Sequence, residues 1–275
     1  NTMQSYIKGK TMQLISENLH IISKTTKEAV LNRDTNYITN LLKKQFATNP
    51  DWIDVNIGPA RGVFAGTMQW LVSIAQDLTD IPLSLDSTNA DEIELGLALA
   101  KSPQDWIINS TNANHDRLDK VTELASKYDC SFIALTMNSE LGIPKEADKR
   151  LELAFEINSV TEEKGIANNK IYFDPLILPV CVDQTQATEA LNTIRMLKES
   201  FEPQVNTTIG LSNVSNGCPK ELRPLINRVF MVMAMGCGLD SAIVDSFDSE
   251  LLRLNTMIES QNVQEAYDSV YLSIY

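Results

Sequence analysis

Eleven residues where short apolar runs give way to loops carry side chains able to do chemistry. They are Glu17, Asn18 and His20, then Asn56, Asp86, Asn109, Asn138, Asp174, the pair Ser212-Asn213, and Asp245. Almost all are carboxylates, carboxamides or hydroxyls, and cations are nearly missing. Taken singly, an Asp or Asn there is as readily a turn former or helix cap as a ligand contact. The recurrence of the same chemistry at successive strand ends argues for a shared pocket. A pocket rich in acceptors suits a ligand rich in donors. The ring N–H and adjacent amino group of a 2-amino-4-oxo-pyrimidine can both bond to one carboxylate, and pterins and guanine share that edge. Phosphorylated sugars fit badly, because phosphate sites use Lys, Arg or a glycine-rich helix N-terminus. No His-Glu-x-x-His motif, serine elbow or Schiff-base lysine at a strand end is present. The protein is therefore expected to supply positioning and hydrogen bonds, with the reactive centre arriving on a cofactor or partner.

Those positions sit at the ends of β-rich runs, each followed by a helical pattern. The runs are Met12–Ser16, Trp52–Ile57, Pro82–Leu85, Trp106–Asn109, Ser131–Met137, Ile171–Phe173, Thr207–Leu211 and Ser241–Val244. Helical spacing marks Ala90–Lys101, Lys145–Glu163, Gln186–Ser200 and Glu221–Met235. A long helical region from Thr25 to Phe46 is predicted to break near Asp34. In Ala90–Lys101 the acidic residues of the first turn and Lys101 in the last suit the helix dipole. Eight β/α alternations in 275 residues predict a single (β/α)8 barrel, an α/β fold whose active site forms where the strands end. An open doubly wound sheet would ordinarily carry a Gly-x-Gly-x-x-Gly or Walker loop, and neither occurs.

Composition narrows the partners. The net charge of -13 and sequence pI near 4.6 argue against nucleic acid, whose binding rests on cationic groups. The charge reads as a solvated acidic surface or a dock for a basic partner. No apolar run is long enough to cross a bilayer, and no basic-then-apolar leader opens the sequence, so no membrane association and a cytoplasmic location are expected. Cys130, Cys181, Cys218 and Cys237 are far apart in sequence, with no Cys-x-x-Cys pair, which predicts incidental reduced thiols and no bound metal. The polar segment Asn1 to Lys10 reads as a frayed extension.

Several segments in order carry a closer resemblance: LSLDSTN (Leu83–Asn89), INSTN (Ile108–Asn112), TMNSELGIPK (Thr136–Lys145), YFDPLILP (Tyr172–Pro179), GLSNVSNGCP (Gly210–Pro219) and PLINRVFMVMAMGCGLDSAIVD (Pro224–Asp245). Together they resemble the methyltetrahydrofolate:corrinoid-protein methyltransferases, pterin-binding barrels of the dihydropteroate synthase-like superfamily. The resemblance implies a (β/α)8 barrel in which Asp86, Asn109 and Asp174 hold the pterin ring while Gly210 and Ser212 line its pocket. It implies that Asn213 bonds the folate N5 and acts in catalysis. It further implies tetrahydrofolate or 5-methyltetrahydrofolate as substrate, cobalamin carried by a separate corrinoid protein, and a homodimer. Glu17-Asn18-Leu19-His20 departs from the Glu-Arg-Ile-Asn common in the family. Dihydropteroate synthase itself fits less well, since its Asn-x-Thr-x-Asp-Ser-Phe-Ser type of first loop is absent. His20 is expected to be structural, and His115, in NANHDRLDK, to start a helix.

Overall fold

The computed structural model describes residues 12–259, so the expected frayed segment Asn1 to Lys10 lies outside the described residues. Eight strands alternate with helices: β1 Gln13–His20, β2 Trp52–Gly58, β3 Leu83–Ser87, β4 Ile107–Asn112, β5 Ser131–Leu135, β6 Ile171–Asp174, β7 Asn206–Thr207 and β8 Ser241–Val244. The helices are α1 Lys24–Leu31, α2 Thr35–Phe46, α3 Thr67–Leu78, α4 Ala90–Leu97, α5 His115–Tyr128, α6 Ala147–Glu163, α7 Thr185–Ser200, α8 Arg223–Met235 and α9 Ser249–Glu259. The sheet order is β7-β6-β5-β4-β3-β2-β1-β8, with all paired strands parallel. A parallel bridge between Gly210 and Ile243, with the Ile243 N–H on the Ile209 carbonyl at 2.8 Å, closes the remaining seam. This is the expected (β/α)8 barrel.

Strand alternation sorts the side chains. On β2, Ile53, Val55 and Ile57 pack outward against the helices with Leu83, Leu85, Ile108, Phe132 and Phe173. Ile15, Trp52, Ile107, Ile133 and Tyr172 point inward and form an apolar plug, with Trp52 and Tyr172 edge to face at 6.2 Å. The barrel is thus packed at its base and turns polar only toward the C-terminal strand ends.

Three boundaries differ from expectation by four residues, and several others by one to three. The predicted strand Met12–Ser16 continues to His20 as β1, because a bulge sets Glu17 and Asn18 opposite Asp54 alone: Ser16 pairs with Ile53 and Leu19 with Val55. The predicted strand Thr207–Leu211 ends at Thr207, and Leu211–Ser215 forms a 3-10 turn. Helix α4 stops at Leu97, short of Lys101. The anticipated break near Asp34 is real: Arg33 has a positive φ of 51°, and the Asp34 carboxylate caps α2 by accepting the Tyr37 N–H at 3.0 Å.

Glu92, read as support for the dipole of its own helix, serves its neighbour instead. Its buried carboxylate accepts the Gly66 N–H at 2.5 Å and the Met68 N–H at 3.1 Å, closing the N-terminus of α3, where Gly66 at φ 70° has no side chain to cap with. Replacing Glu92 with Ala should cost about 2 kcal/mol, the scale of hydrogen bonds to a charged acceptor, whereas Glu92→Gln should lose less. Denaturant midpoints of the two variants check this; an Ala variant as stable as wild type removes the cap from the account.

Candidate active site

Above the apolar plug the inward positions of β2, β3 and β4 carry Asp54, Asn56, Ser84, Asp86 and Asn109. Register aligns Asp54 with Ser84, then Asn56 with Asp86 and Asp86 with Asn109, so the polar side chains form a continuous row. Asp54 is enclosed and accepts from Ser84 Oγ at 2.7 Å and Asn109 Nδ2 at 3.1 Å. Burial pushes its carboxyl up to about 6 against the lowering effect of those two donors. Asn56 Nδ2 donates to Asp86 Oδ2. Burial raises Asp86 well above the usual carboxylate range, the Asp54 charge adds to this, and the Arg117 guanidinium opposes it.

Asp174 ends β6 on the same inner face. Burial raises it to about 6, countered by the Leu176 N–H at 2.7 Å, the Arg150 charge and the Gly210 N–H. Gly210 begins the next βα loop. A Cβ there would lie 2.8 Å from Asn213 Nδ2, so only glycine lets the Asn213 amide fold back over the backbone. The Asn213 N–H donates to the Gly210 carbonyl at 3.1 Å in the 3-10 turn. Its side chain is exposed and hydrogen-bonds none of the described residues. Ser212, its neighbour, donates from Oγ to Glu17 Oε1 at 2.5 Å across the barrel seam. Burial carries Glu17 up to about 7; the Ser212 bond lowers it, and the Asp245 and Asp54 charges raise it.

The named residues therefore fall into two adjoining groups. Asp86 and Asn109 join the β2–β4 row, while Asp174, Gly210, Ser212 and Asn213 form the β6–β7 side. Glu17 stands between them, two residues beyond Ile15 on the inward face of β1. The other strand-end residues serve the scaffold. Asn138 Oδ1 accepts the Leu141 N–H at 2.7 Å within its own loop. Asn18 Nδ2 donates to Asp245 Oδ1 at 2.7 Å, and Asn18 Oδ1 accepts the Ser246 N–H at 3.1 Å, tying β1 to the loop after β8. His20 Nδ1 accepts the Ser23 N–H at 3.2 Å, which leaves Nε2 as the protonated nitrogen of a neutral ring; burial lowers the pKa of His20. His115 is exposed at the start of α5.

Three residues had not been singled out. Asp54 was legible, since alternation in Trp52-Ile53-Asp54-Val55-Asn56-Ile57 puts 54 on the face of 56. Arg117, on α5, donates to the carbonyls of Ser110, Ser87 and Thr88 at 2.6 to 3.1 Å and so ties the end of β3 to β4 next to Asp86. Arg150, fully buried on α6, donates to the Pro144 carbonyl at 2.8 Å and to Gln186 Oε1 at 2.7 Å beside Asp174. Nothing in the local sequence of either arginine marks it as lying near the site.

Comparison with known proteins agrees with this fold. Residues 23–245 match the family described as pterin binding enzyme. Methylcorrinoid:tetrahydrofolate methyltransferase of Eubacterium limosum is 26% identical over 242 residues, covering 88% of this chain and 88% of that protein. Methionine synthase of Mycobacterium leprae is 30% identical over 259 residues, covering 90% of this chain but 21% of that longer protein. In fold the chain is similar to dihydropteroate synthase of Clostridium difficile, with TM-score 0.66 and 17% identity over 91% of this chain and 97% of that one. The Yersinia pestis dihydropteroate synthase superposes with TM-score 0.62 and 16% identity over 90% and 93% of the two chains. With the family matched across most of its length and an acceptor-lined barrel mouth in the corresponding place, the chain belongs to the pterin-binding enzymes.

Proposed function

We propose that the chain is a methyltransferase that moves a methyl group between N5 of tetrahydrofolate and the cobalt of a corrinoid held by a separate protein. The observation that carries this reading is the row of buried acceptors at the strand ends beside an unengaged Asn213 amide. Asp174, Asp86 and Asn109 present acceptors to the donor edge of a pterin. With Asn109 Nδ2 turned to Asp54 and Asp86 Oδ2 to Asn56, the outer oxygens of both remain for the ligand. A methyltransferase acting on methylcorrinoid and tetrahydrofolate stands among the relatives. The corrinoid supplies the cobalt centre that gives or takes the methyl group; the chain binds the folate and governs charge and proton at N5.

Loss of methyl from a tertiary amine is feasible when N5 gains positive charge. Asn213 suits that change, because a rotating carboxamide offers its oxygen to a protonated N5 and its amino group to a neutral one. Glu17 adjoins it through Ser212, and with a carboxyl near 7 it can hold the proton N5 takes up at neutral pH. Exposed apolar side chains on four separate βα loops, Ile22, Val63, Val182 and Phe247, between 46% and 84% accessible, support a protein partner seated on the mouth.

Asp174→Asn should weaken tetrahydrofolate binding by about tenfold or more, since a charged acceptor is exchanged for a group that presents a donor. Titration calorimetry giving equal affinities would take Asp174 out of the pterin contact. The activity itself is tested by turnover of methylcob(III)alamin with tetrahydrofolate. In that assay Asn213→Ala should lower the rate about a hundredfold while affecting folate affinity far less. Tight folate binding with no transfer from any corrinoid donor would leave a binding module instead of an enzyme.

The pH dependence has a definite sign. Glu17 is protonated below about 7 and ionised above it, so transfer out of methyltetrahydrofolate, which ends with a proton on N5, should fall as pH rises through that value. Glu17→Gln should be slower at low pH and lose that limb of the profile. An unchanged limb in the variant assigns the titration to another group.

A further inference from the structure

Sequence spacing makes the four cysteines unrelated, but the fold brings two together. Cys181 lies in the loop that follows Asp174, and Cys218 follows the 3-10 turn that carries Asn213. The two loops already meet through the Val180 N–H on the Val214 carbonyl at 3.0 Å. Cys181 Sγ donates to the Asn216 carbonyl at 3.1 Å. Cys181 Sγ thus lies against the backbone of Asn216 and Gly217, next to Cys218, and its thiol is one cause of the raised Cys218 pKa. Gly217, at φ 79°, makes room for the pair: a Cβ there would stand 3.0 Å from Cys181 Sγ. Cys181 is exposed and Cys218 is buried, whereas Cys130 and Cys237 are both buried.

We infer that Cys181 and Cys218 form an oxidisable dithiol site for hydroperoxides, whose disulfide would join the loop after Asp174 to the loop carrying Asn213. An exposed thiol backed by a second thiol in contact is the arrangement in which oxidation ends in a disulfide and not in a sulfinic acid. Burial and the neighbouring thiol raise the pKa of Cys218, which keeps it a thiol while the solvent-facing Cys181 meets the oxidant. In the first step the Cys181 sulfur attacks one peroxide oxygen, the O–O bond breaks, and Cys181 becomes a sulfenic acid as a molecule of water leaves with the thiol proton. In the second the Cys218 sulfur attacks Cys181, the S–O bond breaks, and hydroxide departs as water with the Cys218 proton. Two thiols and one hydrogen peroxide give one disulfide and two waters, and a dithiol reductant restores the pair. The inference does not depend on the folate reading, because it needs only the contact between the two loops.

The full-length protein should be treated with a small molar excess of hydrogen peroxide, alkylated, and mapped by peptide mass spectrometry without reduction. The expected product is one intramolecular species linking Cys181 to Cys218, lacking two hydrogens and reversed by dithiothreitol. Cys218→Ser should stop at a Cys181 sulfenic acid that dimedone traps and that goes on to the sulfinic acid. Cys181→Ser, a change at an exposed position, should leave Cys218 as a free thiol under the same exposure. Wild-type protein in which Cys181 stays reduced, passes to sulfinic acid unlinked, or links only between molecules on a non-reducing gel overturns the inference.

Discussion

The Asp54 carboxylate is enclosed inside the barrel, and it is tolerated there because Ser84 and Asn109 both donate to it. A buried anion without such partners would be too costly to keep. That one arrangement orders what lies above it. It turns the Asn109 amide so that its oxygen faces the mouth, and its charge helps raise Asp86. Asn56 holds one oxygen of Asp86 from the other side, and Arg117 ties the end of β3 to β4 through the Ser87 and Ser110 carbonyls. The resulting row is rigid, acceptor-rich and short of donors.

Under the proposed function, that electrostatic imbalance is what the donor edge of a pterin would answer. Asp54 and Asp174 near 6, Asp86 well above the usual range and Glu17 near 7 all register the same fact: burial disfavours the charged forms, and the two arginines offset only part of it. A ligand bringing several N–H donors relieves this strain, while an anionic ligand would add to it. The same field favours positive charge developing on a bound amine. Binding and charge stabilisation thus draw on one source.

Position within the site depends on two departures from regular structure. The bulge in β1 returns Leu19 to the outer core, so Glu17 is the last residue in the strand's inward alternation, and it meets Ser212 on the far side of the seam. After the short strand β7, Gly210 leaves room for the Asn213 amide to lie against the backbone; a Cβ there would stand 2.8 Å from Nδ2 and push the amide aside. Both departures gather at the seam between β7 and β8, which is closed by an isolated bridge in place of a full ladder.

The sequence by itself determined the architecture: eight alternations of apolar strand and amphipathic helix admit a closed barrel or an open doubly wound sheet, and the missing glycine-rich loops favour the barrel. It also determined the chemistry of the mouth, because a polar residue closing each apolar run must face the ring of strand ends. Asp54 was equally legible from the alternation of β2. What tertiary structure alone decided is which of these residues face one another. Asn138, Asn18 and Asp245 share the residue types of the pocket, yet they bond to loops, because local hydrogen-bonding competes with ligand contact and composition does not register the winner. Arg117 and Arg150 reach the site from helices far along the chain, and Cys181 meets Cys218 across two loops; no spacing in the sequence encodes these contacts. The β1 bulge belongs here too: Glu17 keeps the inward alternation begun by Ile15, but the extra residue against Asp54 returns Leu19 to the outer core, and strand periodicity cannot foretell where its own period is broken.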